Sequence, residues 1–464
     1  MIKLDVKPSV KKAFKTAFPN RNSAEKGLNK YVSKLESLLL QSTLRGRSTF
    51  DVKKNLFDIS LKLLRDYGGR ISDSNGKKIY IHEWLKHNDF NLIKVVENGN
   101  PFKEVYSKVS LTQWVTARID PSLSSAQDIF DAWFPDFATL TPQDLANDYD
   151  ILDVDLISLN NYIQTLPSVP STGSEVQKLL QAASIYKAAS HNQGKLPQKK
   201  KRSPFGRTYY ESYSIQNVNK NLRRAMLGGA WEYDICSSVV SWKLGFAADY
   251  IQANSINAAV EDTFPYSFIY SEDKKPLIDA IRNDVYCHSG ISIEKQTRNI
   301  KNAMTALNFG ARLSEYSYTD SNGSIKKPSL QEFITDFQEL RRFNNSEYVK
   351  AFNEEQNKLN QFIIDVSIGH NPKLLSKKEI KTASARVNKN KLMAYLYQHA
   401  ETAVMDIVRS ITSQNNLTVI ANIHDAIIFK HQLDPAIKDQ MEAAMRTQTN
   451  NPYWALGEKE LKSF

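Results

Sequence analysis

Between Thr418 and Phe429 the chain reads Thr-Val-Ile-Ala-Asn-Ile-His-Asp-Ala-Ile-Ile-Phe, two apolar, β-branched runs around one polar pair, His424-Asp425. Short apolar runs broken by two polar residues predict a buried hairpin whose tight turn carries a carboxylate. An acidic group in such company needs an arginine, a backbone nest or a divalent cation, because a buried unpaired charge is expensive. On this stretch alone two readings stand: an Asp that caps its own turn, and an Asp that ligates a metal. A second stretch bears on the choice. Trp231-Glu232-Tyr233-Asp234-Ile235-Cys236-Ser237-Ser238 puts another lone Asp at the end of a short apolar strand that runs into a helix. Two carboxylates on adjacent strand ends are what a two-metal phosphoryl-transfer site requires.

The charge balance suits such a site. The chain carries 61 Lys and Arg against 50 Asp and Glu, a net charge of +11, which favours a polyanionic partner such as nucleic acid. Cys236 and Cys287 are the only cysteines, which excludes a disulfide framework and a Cys-rich zinc site. No apolar run approaches the roughly 18 residues a membrane span needs, and the N-terminus lacks the layout of a secretory signal. The expectation is a cytoplasmic protein with reduced thiols and no membrane partner.

Along the first half, Asn22 and Glu25 have capping-box spacing. Leu28, Tyr31, Val32, Leu35, Leu38 and Leu39 then keep the rhythm of one buried helix face, with Lys26, Lys30 and Lys34 opposite. Residues 51–67 predict a second helix stopped by Gly68-Gly69, and Ser74-Asn75-Gly76 predicts a hairpin. Residues 120–155 hold nine Asp and no Lys or Arg. Such a segment will not face a phosphate backbone and reads as an outer surface or a docking face for a protein. Residues 166–174, rich in Pro and Ser, are the best linker in the chain and are expected to separate an accessory region from a catalytic one.

The second half holds the other informative blocks. Lys199-Lys200-Lys201-Arg202 reads by itself as a solvated charge run. Its place just before Phe205-Gly206-Arg207 suits a nucleic-acid contact, with Gly206 allowing close approach and Arg207 forking onto a phosphate. Residues 208–215 alternate like an exposed strand, and a helix is expected over 242–251. A helix over 294–312 puts Lys301, Thr305 and Phe309 on one stripe, with Arg298 one turn before Lys301. That stripe suits a triphosphate and the base or sugar it carries; it also suits an amphipathic helix with a solvated basic start. Ser321-Asn322-Gly323 marks another hairpin, and helices are expected over 330–366. A basic stretch, 373–391, leads into a helix carrying Gln398, Thr402, Asp406 and Arg409. Asp434-Pro435 opens one more, with Pro at its first position.

Taken together and in this order, the blocks resemble the single-subunit RNA polymerases of phages and mitochondria, cousins of the A-family DNA polymerases. Phe205-Gly206-Arg207 is similar to the tail of that family's Gly-Arg motif, and Asp234-Ile235-Cys236-Ser237-Ser238 to its motif A. Asp284-Val285-Tyr286 matches the Asp-Val-Tyr ahead of the fingers helix. Lys301 through Met304-Thr305 to Phe309-Gly310 resembles motif B, and Ile423-His424-Asp425 resembles motif C. The helix with Gln398 and Thr402 to Ile407 resembles the one before motif C in A-family DNA polymerases. The resemblance spans 205–429 and says nothing of the first 170 residues. Three positions depart from the pattern: Thr297 stands where the family has an arginine, Phe309 where it has a tyrosine, and Val239 where DNA polymerases carry a sugar-screening glutamate. The chain is shorter than a full phage enzyme, which suits the catalytic subunit of a split heterodimeric one.

The resemblance implies a mostly helical α+β right-hand polymerase fold with palm, fingers and a thumb-like N-terminal region. Its parts would be a helical accessory region over 1–170, a first part of the palm over 171–260, fingers over 261–390, and a second part of the palm with a C-terminal helix over 391–464. It implies a DNA-directed RNA polymerase, a template-directed nucleotidyltransferase using two Mg²⁺ ions about 3.5–4 Å apart, with Mn²⁺ as a substitute. Asp234, Asp425 and the backbone carbonyl of Ile235 would hold the metals. Lys301 would neutralise the triphosphate and protonate the departing pyrophosphate. Arg298, Thr305, Phe309, Gly310 and Tyr286 would meet the nucleotide; Gly206, Arg207, Lys199, Lys200, Lys201 and Arg202 the nucleic acid; His424 and Gln398 would support. The implied partners are a DNA template, an RNA product, NTPs and a protein for promoter or template recognition, in a bacterial cytoplasm if a phage encodes the chain. The rival readings are a primase or A-family-like DNA polymerase, a catalytically inactive nucleic-acid-binding subunit, and a His-Asp metal phosphohydrolase on His424-Asp425 with His399.

Overall fold

The computed structural model describes residues 2–18, 20–44, 56–73, 75–99, 106–119, 125–134, 137–167, 173–203, 206–210, 214–287, 289–319, 325–382 and 386–464. They form two compact units, one of Met1–Lys201, Tyr209–Ala230 and Glu460–Phe464, the other of Arg202–Thr208 and Trp231–Lys459.

The first unit begins around α1 (Arg21–Leu44). Leu28, Tyr31, Leu35, Leu38 and Leu39 are buried, as their spacing predicts. The cap is Asn20 rather than Asn22: its side-chain oxygen accepts from the N–H of Ser23 at 2.9 Å. Residues 56–59 correct the expected helix over 51–67. Phe57 and Ile59 alternate inward from a strand that pairs with Ser107–Leu111. Only Leu61–Tyr67 is helical, started by the Ser60 hydroxyl, and 51–55 lie outside the described residues. The hairpin forms, with Arg70–Ser72 antiparallel to Lys78–Tyr80.

A three-stranded sheet in this unit has the order β3-β2-β1, where β1 is Tyr149–Asp153, β2 Lys195–Arg202 and β3 Thr208–Tyr210. It gives several acidic residues structural work. Asp128 and Asp144 each close a capping box, with Ser125 and Thr141, and Asp155 caps the helix Leu156–Thr165. Asp150 accepts from the Tyr210 hydroxyl and pairs with Lys200 at 3.3 Å. Asp120 and Asp136 lie outside the described residues. The 166–174 stretch falls within this unit, because Leu156–Thr165 and Gly173–His191 pack on each other; its residues 168–172 are outside the described ones. The strand expected over 208–215 is described as far as Tyr210, and 211–213 are outside.

The second unit is built on a four-stranded sheet of order β5-β6-β4-β7, where β4 is Ala230–Ile235, β5 Val419–Ile423, β6 Ala426–Phe429 and β7 Leu456–Leu461. Around it lie α2 (Ser238–Leu244), α3 (Pro265–Val285), α4 (Ile293–Asn308), α5 (Glu347–His370), α6 (Lys389–Gln414) and α7 (Pro435–Thr449). β5 and β6 make the hairpin expected at 418–429, and all four residues of β6 are buried. Their core includes Tyr233, Ile427 and Phe429 with Ile300, Met304, Phe352, Val404 and Val408. Asp434 caps α7 through the N–H of Ala436 at 2.8 Å.

Three helix expectations need correction. The helix over 242–251 breaks at Gly245, with α2 ending at Leu244 and Ala247–Ala253 following. Residues 330–366 are a 3-10 turn at Ser329–Glu332, a helix at Phe337–Asn345, and α5. The helix over 294–312 stops at Asn308. Gly310, at φ +84°, turns left-handed and closes the end, with Gly310 N–H on Leu307 O at 2.9 Å and Ala311 N–H on Ala306 O at 3.0 Å. A residue without Cβ takes that conformation at no steric cost, which is why glycine ends helices this way. The Ser321-Asn322-Gly323 turn lies outside the described residues; Tyr318–Thr319 and Ile325–Lys326 on either side of it pair antiparallel.

Candidate active site

β4 and β6, the two central strands, run antiparallel with Asp234 opposite Ala426, so Asp425 stands beside Asp234 where these strands end. The N–H of Ile235 donates to the backbone oxygen of Asp425 at 3.1 Å and fixes that register. Asp425 is the second residue of a two-residue turn whose first, His424, has φ +53°. Asp234 is open to solvent on one side, yet the protein around it removes enough water to raise its carboxyl pKa. The charges of Glu232 and Asp425 push the same way, while Lys274 and Lys459 oppose them.

β7 is shaped to this carboxylate. A Cβ on Gly457 would stand 2.8 Å from Asp234 Oδ1 and 3.2 Å from Cys236 Sγ, so a side chain there would occupy the carboxylate's place. The turn after β4 is pinned by Cys236 N–H on Ala455 O at 2.9 Å and by the Ser237 hydroxyl on Tyr270 O at 2.9 Å. Lys274 donates to the Ser237 hydroxyl at 3.4 Å, which sets a cation over the Asp234 side of the site.

Behind Asp425 runs a chain of side chains. The Ser238 hydroxyl donates to Asp425 Oδ2 at 3.4 Å and shares a hydrogen bond with the Tyr397 hydroxyl at 2.7 Å. Tyr397 in turn donates to Glu401. Arg207 holds Glu401 bidentately, Nη2 reaching Oε1 at 2.6 Å and Nε reaching Oε2. Glu401 is 1% exposed. Burial raises its pKa, against the pull of Arg207 and Tyr397, and burial with the Glu401 and Asp425 charges holds the Tyr397 hydroxyl well above its usual range. The fork of Arg207, expected on a phosphate, is thus engaged by a carboxylate. Gly206 packs against His399 of α6, and Phe205 lies outside the described residues.

The stripe on α4 is presented as its spacing predicts. Gln296, Ile300, Ala303, Met304 and Leu307 face inward, while Arg298, Lys301 and Thr305 are exposed. Neither Arg298 nor Lys301 has an ion-pair partner among the described residues. The Thr305 hydroxyl donates to Lys301 O at 2.8 Å and lies within hydrogen-bond reach of the Tyr270 hydroxyl. Phe309 is half-buried, its ring edge-on to Tyr397 at 5.7 Å, which joins the end of α4 to the chain behind Asp425. Gly310 sits against Asn390, whose amide donates to Gly310 O at 3.3 Å. Tyr286 is buried, and its hydroxyl accepts from Asn299 at 3.2 Å. Gln398 lies on α6 with its backbone oxygen taken by Thr402. Lys199, Lys200 and Lys201 belong to the first unit. Lys199 and Lys201 are exposed there, whereas Lys200 is held by Asp150 and by Ala146 O at 3.0 Å; the Arg202 side chain is outside the described residues.

Sequence reasoning passed over Ser238, Lys274, Tyr397, Glu401 and Gly457. Tyr397 and Glu401 had a signal: an acid one helical turn after a tyrosine, on the same apolar face as Val404, Met405 and Val408. Lys274 and Gly457 carried none, because only the fold brings them to Asp234.

The donor set suits a hard divalent cation. Mg²⁺ keeps several waters and is held by one or two carboxylates together with substrate phosphates, and Asp234 and Asp425 supply two carboxylates, the charge of Asp425 adding to the cost of ionising Asp234. Among the described residues no group of three or more His, Cys, Asp or Glu side chains could hold a metal, and no helix is long and apolar enough to cross a membrane. Cys236 and Cys287 are both free thiols.

No family model matches the chain, and no curated protein matches it in sequence. Among solved structures it is similar to the POL domain of Pol1 from M. smegmatis, in a complex with DNA primer-template and dNTP, at TM-score 0.36 and 12% identity. That match covers 73% of this chain and 64% of the other, so the chain spans less than two thirds of the length of the protein it matches.

Proposed function

We propose that this chain is a template-directed nucleotidyltransferase that makes RNA on a DNA template. The observation that carries the reading is the pair Asp234 and Asp425, brought side by side at the ends of the two central strands by the Ile235–Asp425 backbone bond. Asp234 and Asp425 would hold Mg²⁺, which when bound supplies charge neutralisation for the attacking and leaving oxygens of an in-line displacement. The protein's own part is positional and electrostatic. Lys301, exposed and without an ion-pair partner among the described residues, is free to meet the triphosphate and to give a proton to the leaving pyrophosphate. Arg298, one turn before it, would share the phosphate charge, and Phe309 would pack beneath the base or sugar. Within the second unit, residues 231–260 and 391–459 would then supply a palm, and 261–390 fingers. A protein partner would provide template or promoter recognition.

The test is incorporation of labelled rNTPs and dNTPs by the purified chain, with Mg²⁺, on primed and unprimed DNA templates. Templated, Mg²⁺-dependent incorporation of rNTPs supports the reading. Preference for dNTPs on primed template alone moves it to a DNA polymerase. Template binding with no incorporation under any condition moves it to an inactive nucleic-acid-binding subunit.

A further inference from the structure

We infer that Tyr397 and Ser238, anchored by the buried Arg207–Glu401 pair, are positioning residues that aim the Asp425 carboxylate. The inference rests on the reading of Asp425 as a metal ligand. It starts from a problem of burial: Glu401 is almost wholly enclosed, and a buried carboxylate must be both paired and hydrogen-bonded. Arg207 supplies the charge and two donors, and Tyr397 supplies the third. Because the Tyr397 hydrogen is committed to Glu401, its oxygen is left as an acceptor, and the single Ser238 hydrogen is shared in a three-centre bond between that oxygen at 2.7 Å and Asp425 Oδ2 at 3.4 Å. That contact holds Ser238 in the rotamer that also places its oxygen 3.4 Å from Asp425 Oδ2. Tyr397 is itself wedged between Trp242 and Phe309, at 5.7 Å from each ring, and lies under the Arg207 guanidinium at 5.6 Å. Asp425 sits on a turn and has little else to fix its side chain: Ser238 is its one hydrogen-bond donor among the described residues. A buried ion pair linking the 206–207 loop to α6 therefore sets, through two hydroxyls, where one carboxylate of the pair points. Networks of this kind act as units, since each member is held by the next.

The experiment uses the full chain and four variants, Tyr397→Phe, Ser238→Ala, Ser238→Thr and Asp425→Asn. Each is measured for kcat and nucleotide KM on a primed template, for Mn²⁺ binding by electron paramagnetic resonance without substrate, and for unfolding temperature. Tyr397→Phe and Ser238→Ala are expected to lose about tenfold in kcat, the worth of one hydrogen bond. Both should weaken Mn²⁺ binding while nucleotide KM stays at the parent value, and Ser238→Thr, which keeps the hydroxyl, should recover both. Parental kcat and Mn²⁺ affinity in Tyr397→Phe and Ser238→Ala, beside an inactive Asp425→Asn, overturn the positioning role and leave the carboxylate pair standing. An active Asp425→Asn overturns the functional reading itself; the Mn²⁺ measurement alone then decides, and unchanged affinity in the two hydroxyl variants overturns the inference. Should Tyr397→Phe fail to fold, Ser238→Ala, a smaller change at a half-buried position, carries the same test.

Discussion

The backbone N–H of Ile235 and the backbone oxygen of Asp425 lie 3.1 Å apart, and this bond brings two acidic side chains from opposite halves of the unit to the ends of two central strands. The bond lives in the main chain, so replacing either side chain leaves it intact. The arrangement of strands is therefore separable from the charge they present.

Asp234→Asn and Asp425→Asn should each abolish nucleotide incorporation, a loss of at least about a thousandfold, since metal charge stabilisation is worth several kcal/mol. Folding should survive. The Asp234 carboxyl is raised by burial and by the Glu232 and Asp425 charges, so its ionised form costs the metal-free fold stability. In EDTA the unfolding temperature of Asp234→Asn should equal or exceed the parent's, and calorimetry checks it.

Gly457→Ala should separate activity from stability. The new Cβ would stand 2.8 Å from Asp234 Oδ1, and the end of an Asp side chain can move aside at little cost to the fold. Loss of glycine entropy offsets part of that cost, about 0.5–1 kcal/mol. A carboxylate displaced by even ~1 Å can lower turnover by about a hundredfold. Urea unfolding and extension kinetics on one preparation measure both.

Lys301→Ala should lower turnover by about 10² to 10⁴-fold with template affinity nearly unchanged, because its side chain is solvated and has no ion-pair partner among the described residues. Filter binding of template beside single-turnover kinetics distinguishes the two; equal losses in both would remove Lys301 from the phosphate role.

Sugar choice should be loose. Val239 is buried and offers no carboxylate, and Phe309 offers no hydroxyl. Phe309→Tyr should raise the preference for rNTPs over dNTPs by about 1–1.5 kcal/mol, about tenfold. A parent ratio that is already high, and unmoved by the change, would place sugar choice in other residues.

Lys243 makes a prediction about pH. Its Nζ is fully buried, donating to Asn308 O at the end of α4 and to Gln356 Oε1 at 2.8 Å, and burial depresses its pKa well below the ordinary 10.5. Between those two values the unfolded chain binds a proton that the folded chain does not, so stability rises with pH across the window. Lys243→Met removes this dependence. Denaturant midpoints at pH 7 and pH 9.5 should show the parent gaining on the variant as pH rises.

Much of the site's frame was legible along the chain. The β5–β6 hairpin was readable because its two apolar runs needed burial and its only polar residues had to form the turn. The face of α1 and the cap at Asp434-Pro435 followed from spacing and from the chemistry of single residues. Where local patterns conflict, the sequence misleads: the helix expected over 51–67 gives way at Leu56–Ile59 to a strand in which Phe57 and Ile59 alternate, and the helix expected over 294–312 ends at Asn308, ahead of Gly310. Local sequence determined which segments could be strands and helices, and that Asp234 and Asp425 each stood alone among apolar neighbours. Only the tertiary structure decided what those residues meet. Arg207 finds Glu401 across 194 positions, and Gly457 leaves room for Asp234 from a strand that no pattern ties to β4. Lys243 is drawn into the interior by Asn308 O and Gln356. A side chain's periodicity is a property of its own element; the partner that satisfies a buried charge comes from wherever the chain returns, and that is fixed only when the whole unit packs.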